Sequence, residues 1–148
     1  LECSSNMKFT KWDQRFIELA KLVGSWSKDP STQVGAVIVD DKKRIISVGY
    51  NGFPRGVEDS EKRLVDREQK YAIIVHAEMN ALAFARGSVE GCTLYTWPFQ
   101  PCSRCAGFII QSGINRVVTV KHSAERWNSN FDLSKELFLE SGISLEYI

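Results

Sequence analysis

A chain of 148 residues, 43% of them hydrophobic and 25% charged, suits a single globular domain with a core of its own. Its formal net charge of +1 excludes the strongly basic surface that duplex nucleic acid requires, so any anion it binds must be gripped locally. No apolar run approaches the ~20 residues that span a bilayer and no charged-then-apolar leader is recognisable, so we expect no membrane partner and a cytoplasmic protein.

The six residues before Met7 read as an appended remnant, leaving 7–148 as one domain. From Lys11 to Ser25 the apolar residues Trp12, Phe16, Leu19, Ala20 and Val23 share one helical face, with Gly24 near its end, which predicts a docking helix. Ser27-Lys28-Asp29-Pro30 makes a polar turn before the β-rich run Val34–Val39; Asp40–Lys43 turns the chain and Arg44–Tyr50 returns as the second strand of a hairpin. The loop Asn51-Gly52-Phe53-Pro54-Arg55-Gly56 permits sharp backbone turns. The charged stretch Val57–Gln69 reads equally as helix or as lid. Ile73-Ile74-Val75 leads into His76, and Ala77–Arg86 is a helix ended by Gly87. Thr93–Thr96 is a strand, Trp97–Gln100 a loop, and a helix beginning at the cysteine pair runs to about Gln111 and stops at Gly113. Arg116–Val120 is a strand, Asp132–Glu140 a helix and Ser144–Ile148 a last strand. The alternation of β and α elements after the hairpin implies crossover connections. We therefore expect an α/β fold, a three-layer α/β/α sandwich around a five-stranded mixed sheet that is largely parallel.

Two short stretches carry chemistry: His76-Ala77-Glu78 and Pro101-Cys102-Ser103-Arg104-Cys105. Zinc accepts imidazole and thiolate ligands, and three protein ligands leave the fourth tetrahedral position open, which is the catalytic arrangement. His76, Cys102 and Cys105 supply three, so one Zn2+ per subunit is expected. Glu78 is the informative neighbour, because a carboxylate beside activated water can take its proton and pass it on. Pro101 suits the first position of a helix, so the first thiolate falls at or near a helix N-terminus, where its charged form is favoured, and the second follows one turn later. His76 and Glu78, two apart, cannot share a mid-helix face and must use an irregular first turn. A redox C-x-x-C pair would leave His76 and Glu78 unexplained. A structural zinc would want a fourth ligand, and His122, Cys92 and Cys3 are the remaining candidates.

This H-x-E and P-C-x-x-C combination is the known signature of zinc nucleobase deaminases. From about Lys11 to its end the chain resembles the cytidine/deoxycytidylate deaminase superfamily. Within it, Ser27-Lys28-Asp29-Pro30 with Gln33-Val34-Gly35-Ala36, then Gly49–Gly56, then Ile109–Ile114 are similar to the deoxycytidylate (dCMP) deaminase branch. The resemblance implies hydrolytic attack at C4 of cytosine, with Glu78 passing protons to N3 and to the departing ammonia. It implies that Asn51 meets the sugar hydroxyl, the alternative being a turn residue, and that the backbone N–H of Ala77 meets the pyrimidine carbonyl. Lys28, with Arg55 and Arg104 behind it, is the candidate for the 5′-phosphate; a solvated surface charge is the alternative for each. Trp97 and Phe99 either wall the base pocket by stacking or belong to the core. Branch members are commonly homohexamers controlled by dCTP and dTTP bound near the glycine-rich loop, which would make Asn51–Gly56 an interface.

Three departures bear on the carry-over. Val75 stands where many relatives have a cysteine, consistent with a single zinc. The segment Lys121–Trp127 lacks the tyrosine and acidic pair often found there, and the loop before Pro101 is unusually aromatic, so a 5-substituted cytosine is an alternative base. Two rival readings share the zinc motif: a tRNA adenosine deaminase, which needs a surface for folded RNA, and a non-catalytic zinc-stapled module, in which Glu78 is idle.

Overall fold

The structure, a computed structural model, describes residues 9–122 and 128–148. The first helix, α1 (Lys11–Gly24), opens on a reciprocal cap: Thr10 Oγ1 accepts from the Asp13 N–H at 3.2 Å and Asp13 Oδ2 accepts from the Thr10 N–H at 3.1 Å. A hairpin follows, β1 (Gly35–Val39) and β2 (Ile45–Tyr50), paired antiparallel. The charged stretch resolves into two short helices, α2 (Glu61–Val65), capped by Ser60, and α3 (Arg67–Ile73), capped by Asp66. Then come α4 (Ala77–Phe84), β3 (Thr93–Trp97), α5 (Ser103–Ser112), β4 (Arg116–Thr119), α6 (Asn128–Ser141) and β5 (Ser144–Tyr147). Residues 123–127 lie outside the described residues, and with them most of the Lys121–Trp127 segment that departs from the branch pattern.

The five strands lie in the order β2-β1-β3-β4-β5. The three-layer sandwich and mixed sheet are as expected, but the sheet is less parallel than the α/β alternation implied. β3 pairs antiparallel with β1 and only β3-β4 and β4-β5 are parallel. The hairpin is the reason. It places β1 between β2 and β3, so the crossover through α4, which sets β3 parallel to β2, leaves β3 antiparallel to β1, while the crossovers through α5 and α6 join adjacent strands and give the parallel pairs.

Strand alternation sends Ala36, Ile38, Leu94 and Val117 to one face, where they pack on Ala77 and Ala81 of α4, Ala106 and Ile109 of α5, and Phe138 of α6. The other set, Val37, Val39, Tyr95 and Val118, packs on Phe16, Ile17 and Ala20 of α1. Two glycines allow close approach. A Cβ on Gly35 would lie 1.8 Å from the Ala20 carbonyl oxygen, and one on Gly49 would lie 2.4 Å from the Ala81 nitrogen. α4, which carries Ala77 and Glu78, is thus seated directly on β2. No described helix is long and apolar enough to cross a membrane.

An ion cluster closes the opposite side of the sheet. The buried Asp13 accepts from Tyr95 Oη at 2.6 Å and from Arg116 Nη1 at 3.0 Å, and Arg116 also donates to Glu146 at 2.9 Å. Burial pushes the Asp13 carboxyl upward, but the hydrogen bonds from Arg116, Tyr95 and Thr10 outweigh it and hold it below its ordinary value of 3.8. A carboxyl depressed on folding stabilises above its unfolded pKa, and that contribution is lost as pH falls through the lower folded value. Asp13→Asn should therefore lower stability by about 3 kcal/mol at pH 7, because Arg116 loses a partner. The difference from wild type should shrink below pH ~4, read as converging melting temperatures in an acid titration.

Candidate active site

His76 is the N-cap of α4 and Cys102 the N-cap of α5. An N-cap side chain usually turns back to its own helix. His76 makes no such bond, and its Nδ1 lies 3.3 Å from Cys105 Sγ and 3.5 Å from Cys102 Sγ. Cys102 keeps its capping role, its sulfur accepting from the Cys105 N–H at 3.5 Å. Pro101 precedes the cap instead of opening the helix, so the first thiolate, and not the proline, meets the N-terminal N–H groups.

The three donor atoms all lie within 4.8 Å of one another. Ideal tetrahedral Zn–S and Zn–N bonds would separate a sulfur from a nitrogen by about 3.6 Å, close to the observed spacings. Donor chemistry points the same way. The Cys102 thiol is lowered to about 4, mainly because Cys105 donates to it, whereas Cys105 is pushed up beside that thiolate and by burial. His76 is raised, chiefly by its bond to Cys102. One divalent cation among the three atoms satisfies all of them, and the residues fit a single zinc.

Glu78, 3% exposed, is the second residue of α4 and reaches the same cavity. Burial is the main reason its carboxyl is pushed up to about 7. His76, Ala77, Glu78 and Cys102 form one end of this cavity; Asn51, Phe99, Gln100 and Phe131 contribute walls. Ala77 opens α4, where N–H groups have no intrahelical acceptor.

Asn51 is buried and heavily committed: its Oδ1 accepts from the Val34 N–H at 2.9 Å and its Nδ2 donates to the Thr32 carbonyl at 2.9 Å. It clamps the end of β2 to the 29–34 turn while lining the cavity. Phe99 also lines the cavity, stacked at a tilt on Phe131 with centroids 5.5 Å apart. The loop that carries it is pinned by the buried Gln100, which donates to the Phe131 carbonyl and Ser134 Oγ at 2.9 and 2.7 Å.

Four expected contacts do not reach this cavity. Trp97 shares the pleat of Tyr95 and faces α1, with Lys21 Nζ 5.4 Å from its ring centroid. Lys28 is 72% exposed and ion-paired with Asp59 at 2.9 Å. Arg55 lies over Phe84, and Arg104 is exposed in the first turn of α5, its charge acting on His76 and Cys105 but its side chain not lining the cavity. Conversely, Asp29, Ser31, Lys70 and Tyr71 line the cavity and were not singled out as site residues. Lys70 is separated by one helical turn from Ile74, which also lines the cavity, and that spacing was the available signal.

A family model described as the cytidine and deoxycytidylate deaminase zinc-binding region matches residues 10–121. The chain is 45% identical over 142 residues to an uncharacterized deaminase in the luxG 3′ region of Aliivibrio fischeri, covering 94% of this chain and 95% of that one. It is 38% identical over 127 residues to the deoxycytidylate deaminase of Mus musculus, covering 80% and 69%. In structure it is similar to the dCMP deaminase of cyanophage S-TIM5, solved with dCMP and dUMP, at a TM-score of 0.75 and 24% identity, covering 96% of this chain and 100% of the phage protein. With the matched region enclosing both the His76–Glu78 and the Cys102–Cys105 stretches, this chain belongs to the cytidine and deoxycytidylate deaminase family.

Proposed function

We propose that the protein deaminates dCMP hydrolytically to dUMP and ammonia, supplying the precursor of dTMP. The observation that carries the reading is Glu78, buried in the same cavity as His76 and Cys102, whose donor atoms lie within 4.8 Å of that of Cys105. The resemblance to enzymes named deoxycytidylate deaminase in mouse and other animals supports the choice of nucleotide.

His76, Cys102 and Cys105 would hold the zinc, which supplies Lewis-acid activation of water when bound. Glu78 accepts a proton from that water and delivers it to N3 of cytosine as oxygen adds to C4. The same carboxylate then takes the remaining proton from the hydroxyl now on C4 and passes it to the exocyclic amine, so that the C4–N bond breaks, ammonia leaves and C4 becomes the carbonyl of dUMP. The Ala77 N–H donates to the pyrimidine O2. Phe99, backed by Phe131, packs against the base. Asn51 Oδ1, with one lone pair used by Val34, has another for a sugar hydroxyl.

We also read the protein as a homo-oligomer of hexameric type, with dCTP and dTTP as effectors near Asn51–Gly56. Exposed aromatics beside that loop support an interface there: Trp26 meets Tyr50 edge-on, and Phe84 lies under Arg55.

The test is ammonia release by the zinc-loaded protein with dCMP, 5-methyl-dCMP, CMP, deoxycytidine and dCTP side by side. Turnover of dCMP at least tenfold above the others is expected. A marked preference for 5-methyl-dCMP would redirect the base assignment, and no turnover of any mononucleotide would sink the nucleotide reading.

A further inference from the structure

With Lys28, Arg55 and Arg104 outside the cavity, the phosphate of a nucleotide needs another cation. Among the described residues that line the cavity, Lys70 is the one lysine or arginine. Its side chain is 5% exposed, and its Nζ donates to Asp29 Oδ1 at 3.0 Å and to Ser31 Oγ at 3.1 Å. An ammonium has three N–H donors, so these two bonds use two of them.

The partner carboxylate is already shared. Asp29 Oδ1 accepts from the N–H groups of Ser31 and Thr32 at 2.8 and 3.3 Å, and Oδ2 accepts from Asn51 Nδ2 at 3.4 Å. Burying an ion pair in a wall where apolar side chains would pack costs desolvation without a clear gain in stability, which makes such a pair beside a cleft a candidate for binding. A second cavity adjoins the first and shares Ser31, Lys70 and Tyr71 with it, and Arg67 lines its wall. Arg67 and Lys70 both approach the Tyr71 ring, at 5.6 and 5.7 Å from its centroid. Positive charge therefore gathers where the two cavities meet.

We propose that Lys70, with Ser31 beside it and Arg67 on the outer side, anchors the 5′-phosphate of the substrate, making this junction the element that selects a nucleoside monophosphate over a nucleoside. The proposal rests on the nucleotide reading above. Phosphate oxygens take the third Lys70 donor and the Ser31 hydroxyl, and Arg67 closes on the outer oxygen. Because Asp29 bridges Lys70 and Asn51, the phosphate and sugar contacts sit on one hydrogen-bonded frame, so an anchored phosphate also fixes the sugar.

The test uses the zinc-loaded full chain and calorimetric titration with dUMP and deoxyuridine, alongside turnover of dCMP and deoxycytidine. Wild type should bind dUMP about a hundredfold more tightly than deoxyuridine. Lys70→Met combined with Asp29→Asn, which removes both buried charges together, should reduce that ratio below about tenfold. Arg67→Gln, which leaves the Lys70–Asp29 pair in place, should reduce it a few-fold and guards against misfolding of the double variant. A ratio unchanged in both variants, or a wild type that does not distinguish the two ligands, overturns the anchor. Turnover of dCMP with an unchanged ratio would remove the anchor alone. A ratio that collapses as expected in a protein that deaminates neither substrate would remove the deaminase reading and leave the anchor standing.

Discussion

Glu78→Gln should lower kcat for dCMP by about 10³- to 10⁴-fold while zinc content stays at one per chain. The amide has nearly the same volume and hydrogen-bonding reach, so the packing of α4 on β2 is preserved. What it cannot do is accept a proton. Two proton deliveries depend on this one carboxylate, to N3 and to the leaving amine, which is why the loss sits at the upper end of general acid–base effects. A carboxyl pushed up to about 7 by burial is half-protonated near neutrality, and a cation placed beside it draws that value down. The acid limb of the kcat/KM profile should therefore lie at or below pH 7, with activity lost as pH falls and the base becomes protonated. Full activity in Glu78→Gln would assign the proton transfer elsewhere; loss of zinc in that variant would make Glu78 a support for the metal site.

How much of this could be read from the sequence follows from how local each feature is. The zinc donors and Glu78 were legible because the fixed spacings of H-x-E and C-x-x-C are set by the first turns of two helices. Sequence distance translates directly into space there. Sandwich layering was legible from the alternation of α and β. The antiparallel placement of β3 beside β1 was not, since it depends on which edge of the hairpin the chain returns to. Trp97 was open between pocket wall and core for a different reason. Its neighbour Phe99 lies past the end of β3 and turns into the cavity, whereas Trp97 is still governed by the strand's pleat, and the register of a strand's last residue is invisible without its partners. Lys70, just past the charged stretch, was not singled out because its buried partner Asp29 lies 41 residues away. Composition treats such a lysine as surface; only the fold brings the two together.

Cys105→Ala should abolish both metal retention and turnover, leaving dCMP deamination at least about 10⁴-fold below wild type. Cys105 is buried and one of three donors, so its loss leaves His76 and a half-exposed Cys102, too few ligands to hold zinc through dialysis. Stability should respond too. The donors come from the N-cap of α4 and from the N-cap and first turn of α5, so the metal would tie together two helices on one face of the sheet. At a free zinc concentration a thousandfold above its dissociation constant, that linkage contributes about 4 kcal/mol. Chelation should then lower the melting temperature of wild type and leave that of Cys105→Ala unchanged. The pH dependence has a definite sign. With the Cys105 thiol pushed up beside the Cys102 thiolate, zinc must displace its proton, so loading releases a proton and weakens as pH falls. Zinc occupancy at limiting metal, measured between pH 8 and pH 6, should fall on the acid side. A Cys105→Ala protein that keeps stoichiometric zinc and responds to chelator would exclude Cys105 as a ligand, and the site would have to be completed by another side chain.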